Sequence, residues 1–187
     1  MELLKQWPFL VWIDLEMSGL AIQHDKILEI ACIITDSDLN VIAAKESIII
    51  YQETELLEGM DEWNTHQHAK SGLIDSIKRS SYTTAQAEHE VLAFVKEYCE
   101  PQTAPLCGNS IWVDRLFLKT YMPVLEQYLY YRTIDVSTIK QLVNFWYGKP
   151  DSQFFTKKDM HRALDDIRES IEELKYYREN FFIKVKL

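Results

Sequence analysis

At 187 residues the chain has the length of one ordinary domain, 1–187, with enough residues to bury a substantial core. Its composition, 47% hydrophobic and 26% charged, excludes the disordered and fibrous classes. The formal charge of −9 comes with no visible basic stripe, which argues against a protein that grips long nucleic acid, so a polyanionic substrate would have to be short and handled locally and through metal.

The opening "MELLKQWPFLVWID" is too short and too acidic at its distal end for a signal peptide. No apolar stretch reaches the ~18 residues of a membrane span, so a cytoplasmic protein with no membrane partner is expected. "FLVWID" reads as a first strand, followed by a loop with Gly19 and then by "ILEIACIITD" and "VIAAKESIII" as second and third strands. "DSDLN" between the last two has the Asp, Ser and Asn content of a hairpin turn. Helices are expected over 60–79 and 84–99; in the second, Ala87, Val91, Phe94 and Val95 recur at helical spacing behind Thr83 or Thr84 as N-cap. "PLCG" is a short buried strand, and "NSIWVDRLFLKTYM" starts a helix with Asn109 or Ser110 at its cap. "RTIDVST" supplies a last strand running into the helix "VSTIKQLVNFWY". A final helix, roughly 161–180, turns Leu164, Ile167, Ile171 and Leu174 inward. Strands first, then helices alternating with short strands, give an α/β domain: a mixed sheet flanked by helices. The cysteines Cys32, Cys99 and Cys107 are odd in number and lack metal-binding spacing, so reduced thiols are expected, with Cys32 a small buried residue in its apolar strand.

Two carboxylates stand at the end of the first strand, in "WIDLEMSGL". Strand residues two apart share a face, so Asp14 and Glu16 point together. An isolated Asp-x-Glu is common by chance and is more often a turn cap beside a solvated charge. Asp114 lies one turn into the helix after "PLCG", where the helix dipole alone would favour an acid. "HRALDDIRES" adds His161, Asp165 and Asp166. Five helical residues rotate by about 140°, so His161 and Asp166 can serve one site only if His161 precedes the helix. Carboxylates converging from distant parts of a chain suit hard divalent cations, and two such ions support phosphodiester hydrolysis with a neutral imidazole as proton acceptor. Spacing alone leaves the metal reading and the structural one side by side.

Asp14-Leu15-Glu16, Asp114 and His161-x4-Asp166 resemble the three motifs of the DEDDh 3′-to-5′ exonucleases. "DEWN", "CGNSI", "YRTIDVST" and "HRALDDIRES" extend the likeness from Trp12 to about Phe182, toward the exoribonucleases of that family that degrade very short RNAs to mononucleotides. The resemblance implies a ribonuclease H-like fold and a homodimer. It implies Asp14, Glu16, Asp114 and Asp166 as ligands of two divalent cations, Mg2+ or Mn2+, with His161 as general base and Asp165 as the neighbour that spacing does not exclude. It further implies that Leu20 wedges against the bases, with Trp63 and His68 beside the substrate. Ser110, Arg132, Ser137 and Thr138 match the region that caps the 5′ phosphate of a linear dinucleotide, with Tyr131 and Arg132 supplied by the partner subunit, so the site would be shared across the dimer. The sequence departs from the pattern around "NFWYGKPDSQFFTKKDM", just before His161. A proofreading or tRNA-trimming exonuclease of the same fold conflicts with the acidic balance, and a scaffold that lost catalysis conflicts with five filled catalytic positions.

Overall fold

The apolar run that leads into Asp14 is β1 (Phe9–Met17), the middle strand of a five-stranded sheet. The computed structural model describes residues 9–147 and 162–183. β1 pairs antiparallel with β2 (Ile27–Asp36), and β2 antiparallel with β3 (Val41–Ile49). On its other side β1 pairs in parallel with β4 (Pro105–Gly108), and β4 in parallel with β5 (Tyr130–Asp135). The order β3-β2-β1-β4-β5 thus joins an antiparallel half, connected by the loop 18–26 and the short turn 37–40, to a parallel half that needs crossover helices. The turn at "DSDLN" forms as expected: the Asp36 carboxylate accepts the Asp38 and Asn40 backbone N–H groups at 2.8 and 2.9 Å.

The helices differ in detail from the sequence expectation. α1 (Thr54–Glu58) was not anticipated, because five residues carry no readable period. The single helix expected over 60–79 is two, α2 (Glu62–Lys70) and α3 (Leu73–Arg79). They break at Gly72, whose φ of +73° is left-handed and cannot continue a right-handed helix. α4 (Thr84–Lys96) stops three residues short of position 99, and its cap is Thr83, which exchanges hydrogen bonds with Gln86 in a capping box. α5 (Trp112–Tyr121) begins after Ile111, not after Asn109 or Ser110, whose side chains are engaged elsewhere. α6 (Pro123–Tyr128) is a second short helix without a sequence signal beyond its leading proline. α7 (Val136–Tyr147) and α8 (Ala163–Phe181) follow.

Alternation along β1 sorts the two faces of the sheet. Val11, Ile13 and Leu15 share one core with Val91 and Val95 of α4, Phe117 and Leu118 of α5, and Leu125 of α6. Leu10 and Trp12 face the other way, into a core with Val136 and Val143 of α7 and Leu164, Ile167 and Ile171 of α8. Full burial of such side chains contributes about 1.5–3 kcal/mol each, so both helical layers are firmly seated. Asp14 and Glu16 continue the even-numbered set, and their carboxylates therefore emerge on the α8 side. Cys32, Cys99 and Cys107 are buried free thiols. Among the described residues no helix is long and apolar enough to cross a membrane.

Candidate active site

The even face of β1 meets the first turn of α8 at a cluster of acids. Asp14, Glu16 and Asp166 each present an oxygen within 4.8 Å of the others. Asp165 is not part of this group; it is half exposed and pairs with Arg168 at 3.0 Å. Asp114, in the first turn of α5, is buried, and its Oδ1 accepts the Leu15 backbone N–H at 3.0 Å, between the two strand acids in sequence. His161 lies outside the described residues.

Packing these acids together is costly, and the cost shows in their protonation. Burial, then the charges of Asp166 and Glu29, push the Glu16 carboxyl up to about 8, against the pull of Arg162. Burial pushes Asp114 up to about 7, against the stabilising Leu15 hydrogen bond. The oxygen donors of Asp14, Glu16 and Asp166 form a set that fits a hard divalent cation, which would relieve the repulsion felt at Glu16. The metal-free state should therefore be pH-sensitive. The folded chain holds a proton on Glu16 that the unfolded chain releases, so stability is lost as pH rises from 4.5 through about 8. The melting temperature in EDTA is expected to rise when the buffer is lowered from about pH 8 to about pH 6. Glu16→Gln should flatten that dependence, and an unchanged slope in this variant would rule Glu16 out as its source.

Glu29 stands directly across the β1–β2 ladder from Glu16 and is fully buried. Arg162, the residue before α8, donates to it through Nη2 at 2.9 Å and Nε at 3.2 Å. His68 of α2 is only 2% exposed. Its Nε2 is 2.9 Å from the Met17 carbonyl, which can only accept, so Nε2 carries the hydrogen, while Nδ1 lies 3.8 Å from Glu16. The structure thus places His68 behind the strand end that carries Glu16.

Beside the acids is a cleft of about 530 Å³, lined by Glu16, Met17, Leu20, Asp61 and Trp63 among others. Leu20 and Trp63 are 72% and 61% exposed, unusual for large apolar side chains at its mouth. Leu20 is held out by a fixed turn: the Asp25 carboxylate accepts from Ser18 Oγ and the Ala21 N–H, both at 2.8 Å. A Cβ on Gly19 would come within 2.5–2.8 Å of that carboxylate, so a larger residue there would have to displace the group that holds the turn.

Ser110 and Ser137 are also brought together, with hydroxyls 3.2 Å apart. Ser110 adopts φ +50°, and its N–H reaches both Asp135 Oδ1 and Ser137 Oγ at 3.0 Å. The Ser137 N–H also donates to Asp135, at 2.9 Å. Asn109 continues the network, accepting from Ser137 Oγ and donating to Ser170 Oγ and Glu173 on α8. Thr138 is exposed at the start of α7. Tyr131 and Arg132 stand exposed on the outer strand, paired with one another: Arg132 Nε donates to Tyr131 Oη at 2.8 Å. Sequence reasoning missed Glu29, Arg162, Asp135 and Asn109 as parts of this neighbourhood. Glu29 did leave a signal, an acid inside the apolar run "ILEIACII", where a buried charge demands a partner.

The model of the exonuclease family RNase_T matches residues 11–174. Similar proteins include oligoribonucleases of Alcanivorax borkumensis, 52% identical over 92% of this chain and 94% of the relative, and of Acinetobacter baylyi, 51% identical over 94% and 95%. That of Neisseria meningitidis is 49% identical over 93% and 92%. Among solved structures, the nuclease domain of 3′hExo, a DEDDh family member bound to rAMP, superposes with a TM-score of 0.61 at 15% identity, covering 98% of this chain and 99% of that one. E. coli Exonuclease I in complex with a dT13 oligonucleotide gives 0.66 at 14% identity, covering 91% and 41%. These structures share the ribonuclease H-like fold with the mixed sheet described above.

Proposed function

The chain belongs to the exonuclease family, among its oligoribonucleases, and from that premise we propose that it trims very short single-stranded RNAs, 5′-phosphorylated dinucleotides above all, to mononucleotides. As a member it is a hydrolytic 3′-to-5′ exoribonuclease. The observation that carries the finer reading is the convergence of Asp14, Glu16 and Asp166 beside the cleft flanked by Leu20 and Trp63. With Asp114 these acids would hold two divalent cations, Mg2+ or Mn2+, which supply activation of the attacking water and stabilisation of the departing oxygen. His161 takes the proton of that water as general base. Leu20 and Trp63 offer apolar surfaces to the bases, and His68 supports the wall of the site behind Glu16. Continuity of the sheet with all four acids supports one domain over 1–187.

The serine turn supports the dinucleotide preference. Asp135 already occupies the Ser110 and Ser137 N–H groups, so a 5′ phosphate would rely on the hydroxyls of Ser110, Ser137 and Thr138. It would also need a cation. Arg132 is suited to this, since its planar fork holds phosphate through two hydrogen bonds. Within one chain Tyr131 and Arg132 are exposed and bound to each other, and Trp112 and Leu116 of α5 and Val124 of α6 are exposed as well. These uncovered side chains support a homodimer in which each subunit lends Tyr131 and Arg132 to its partner's site. A cap of this kind closes the pocket, and longer RNAs leave nucleotides in solvent.

Hydrolysis of 5′-phosphorylated RNAs of two to ten nucleotides tests the reading, with and without metal. The dinucleotide should be cleaved with much the highest kcat/KM. Arg132→Ala should lower that value about tenfold to a hundredfold, as expected when charge-assisted bonds worth about 1.5–3 kcal/mol each are lost. Removing the 5′ phosphate should cost the parent enzyme as much and the variant little. Equal rates for two-mers and ten-mers reject the cap, and a fully active monomer rejects the shared site.

A further inference from the structure

Arg162 sits where a mobile cation would do harm. It precedes the helix whose first turn carries Asp166, and its charge is felt at Glu16. A guanidinium there has two alternative partners, Glu29 on β2 or, across the ladder, Glu16 of the acid cluster. If it chose the second, it would neutralise the negative charge on which a divalent cation depends. The structure shows it committed to the first, with Nη2 and Nε on a carboxylate that is itself fully buried. The same carboxylate lies 3.4 Å from the Ala163 N–H, at the start of a helix whose N-cap residue makes no side-chain capping bond. Glu29 therefore meets both the cation and the first turn of α8 from the neighbouring strand, directly across the ladder from Glu16.

We propose that Glu29 is a positioning residue that sequesters Arg162, holding the guanidinium against β2 and away from Glu16 and Asp166 so that these carboxylates remain available to a divalent cation. The pair contributes no ligand itself. Its effect runs through the charge that it keeps out of the acid cluster and through the anchoring of α8. The proposal rests on the metal reading of the acids given above.

Mn2+ binding without substrate, measured by calorimetry at fixed pH, separates this role from a merely structural one. Glu29→Gln keeps the size of the side chain but frees Arg162, and is expected to weaken Mn2+ about tenfold, the effect of one uncompensated unit charge at intermediate dielectric. Arg162→Gln should bind Mn2+ no more weakly than the parent, although both variants lower the melting temperature in EDTA. The double variant Glu29→Gln/Arg162→Gln should recover binding to within about threefold of the parent, a coupling that a simple loss of packing does not produce. Glu29→Gln binding Mn2+ like the parent, or a double variant no better than Glu29→Gln, overturns the proposal. Should Glu29→Gln not fold, Arg162→Gln decides: retained or tighter Mn2+ binding supports sequestration, and tenfold weaker binding overturns it. A parent protein that binds no Mn2+ overturns the metal reading and this one together, whereas the other failures leave the metal reading standing.

Discussion

Asp114→Asn is expected to retain the fold and lose several orders of magnitude in turnover on a short RNA, because in the proposed mechanism the acids would organise water and leaving group as a unit. The amide is the informative replacement at this position. The Asp114 carboxylate accepts the Leu15 N–H, and an asparagine oxygen can still do so while the charge is gone. Asp114→Ala should lose activity equally but also leave that N–H unpaired in a buried place, at a cost of about 1–3 kcal/mol in stability. Alanine at Asp14, Glu16 or Asp166 should behave differently again. Each substitution removes one member of a cluster in which Asp166 and Glu29 raise the Glu16 carboxyl, so the metal-free protein should melt at the same temperature or higher while turnover collapses. Thermal melts in EDTA set beside single-turnover rates with Mn2+ check both halves. Near-parental turnover of Asp114→Asn in excess metal would remove Asp114 from the machinery.

His161→Ala should lower turnover by about 10²–10⁴-fold, the usual contribution of a positioned general base. Only the neutral imidazole can accept a proton, so the parent rate should fall on the acid side of the profile, and the residual rate of the variant should lose that dependence. Mn2+ affinity should stay at the parental value. An equal weakening of Mn2+ in His161→Ala would make this residue a ligand or a structural group and exclude the base role. The spacing supports the assignment: Asp166 faces Asp14 and Glu16 from the first turn of α8, and a residue five positions earlier precedes that helix.

The sheet was legible because its signals are local. The alternation of β1, the apolar continuity of β2 and the Asp-rich turn after it each depend on a few adjacent residues. The helices at 60–79 read as one because a periodic pattern does not register a single left-handed glycine, and α1 and α6 are too short to repeat a period. Asp14 and Glu16 were visible as charges at the end of an apolar strand. That Asp166 joins them and Asp165 does not is a matter of helix phase, fixed only once Leu164, Ile167 and Ile171 pack beneath the sheet. The roles of Asn109 and Asp135 were illegible for the opposite reason. Their partners lie up to 64 residues away, and nothing in "CGNSI" distinguishes a helix cap from an asparagine spent on Ser170 and Glu173.

The arrival of Asp166 on α8 also sets a clock. Asp14 and Glu16 belong to the first strand of the sheet and Asp166 to the last described helix, so a growing chain carries two of the acids long before the helix that covers them exists. At translation rates of about 5–20 residues per second, roughly 8–30 s separate the emergence of Glu16 from that of Asp166. During that interval the nascent protein has an exposed acidic strand end and no complete hydrolytic site. A site that needs Asp166 is complete only once α8 docks on the sheet beside Asp14 and Glu16.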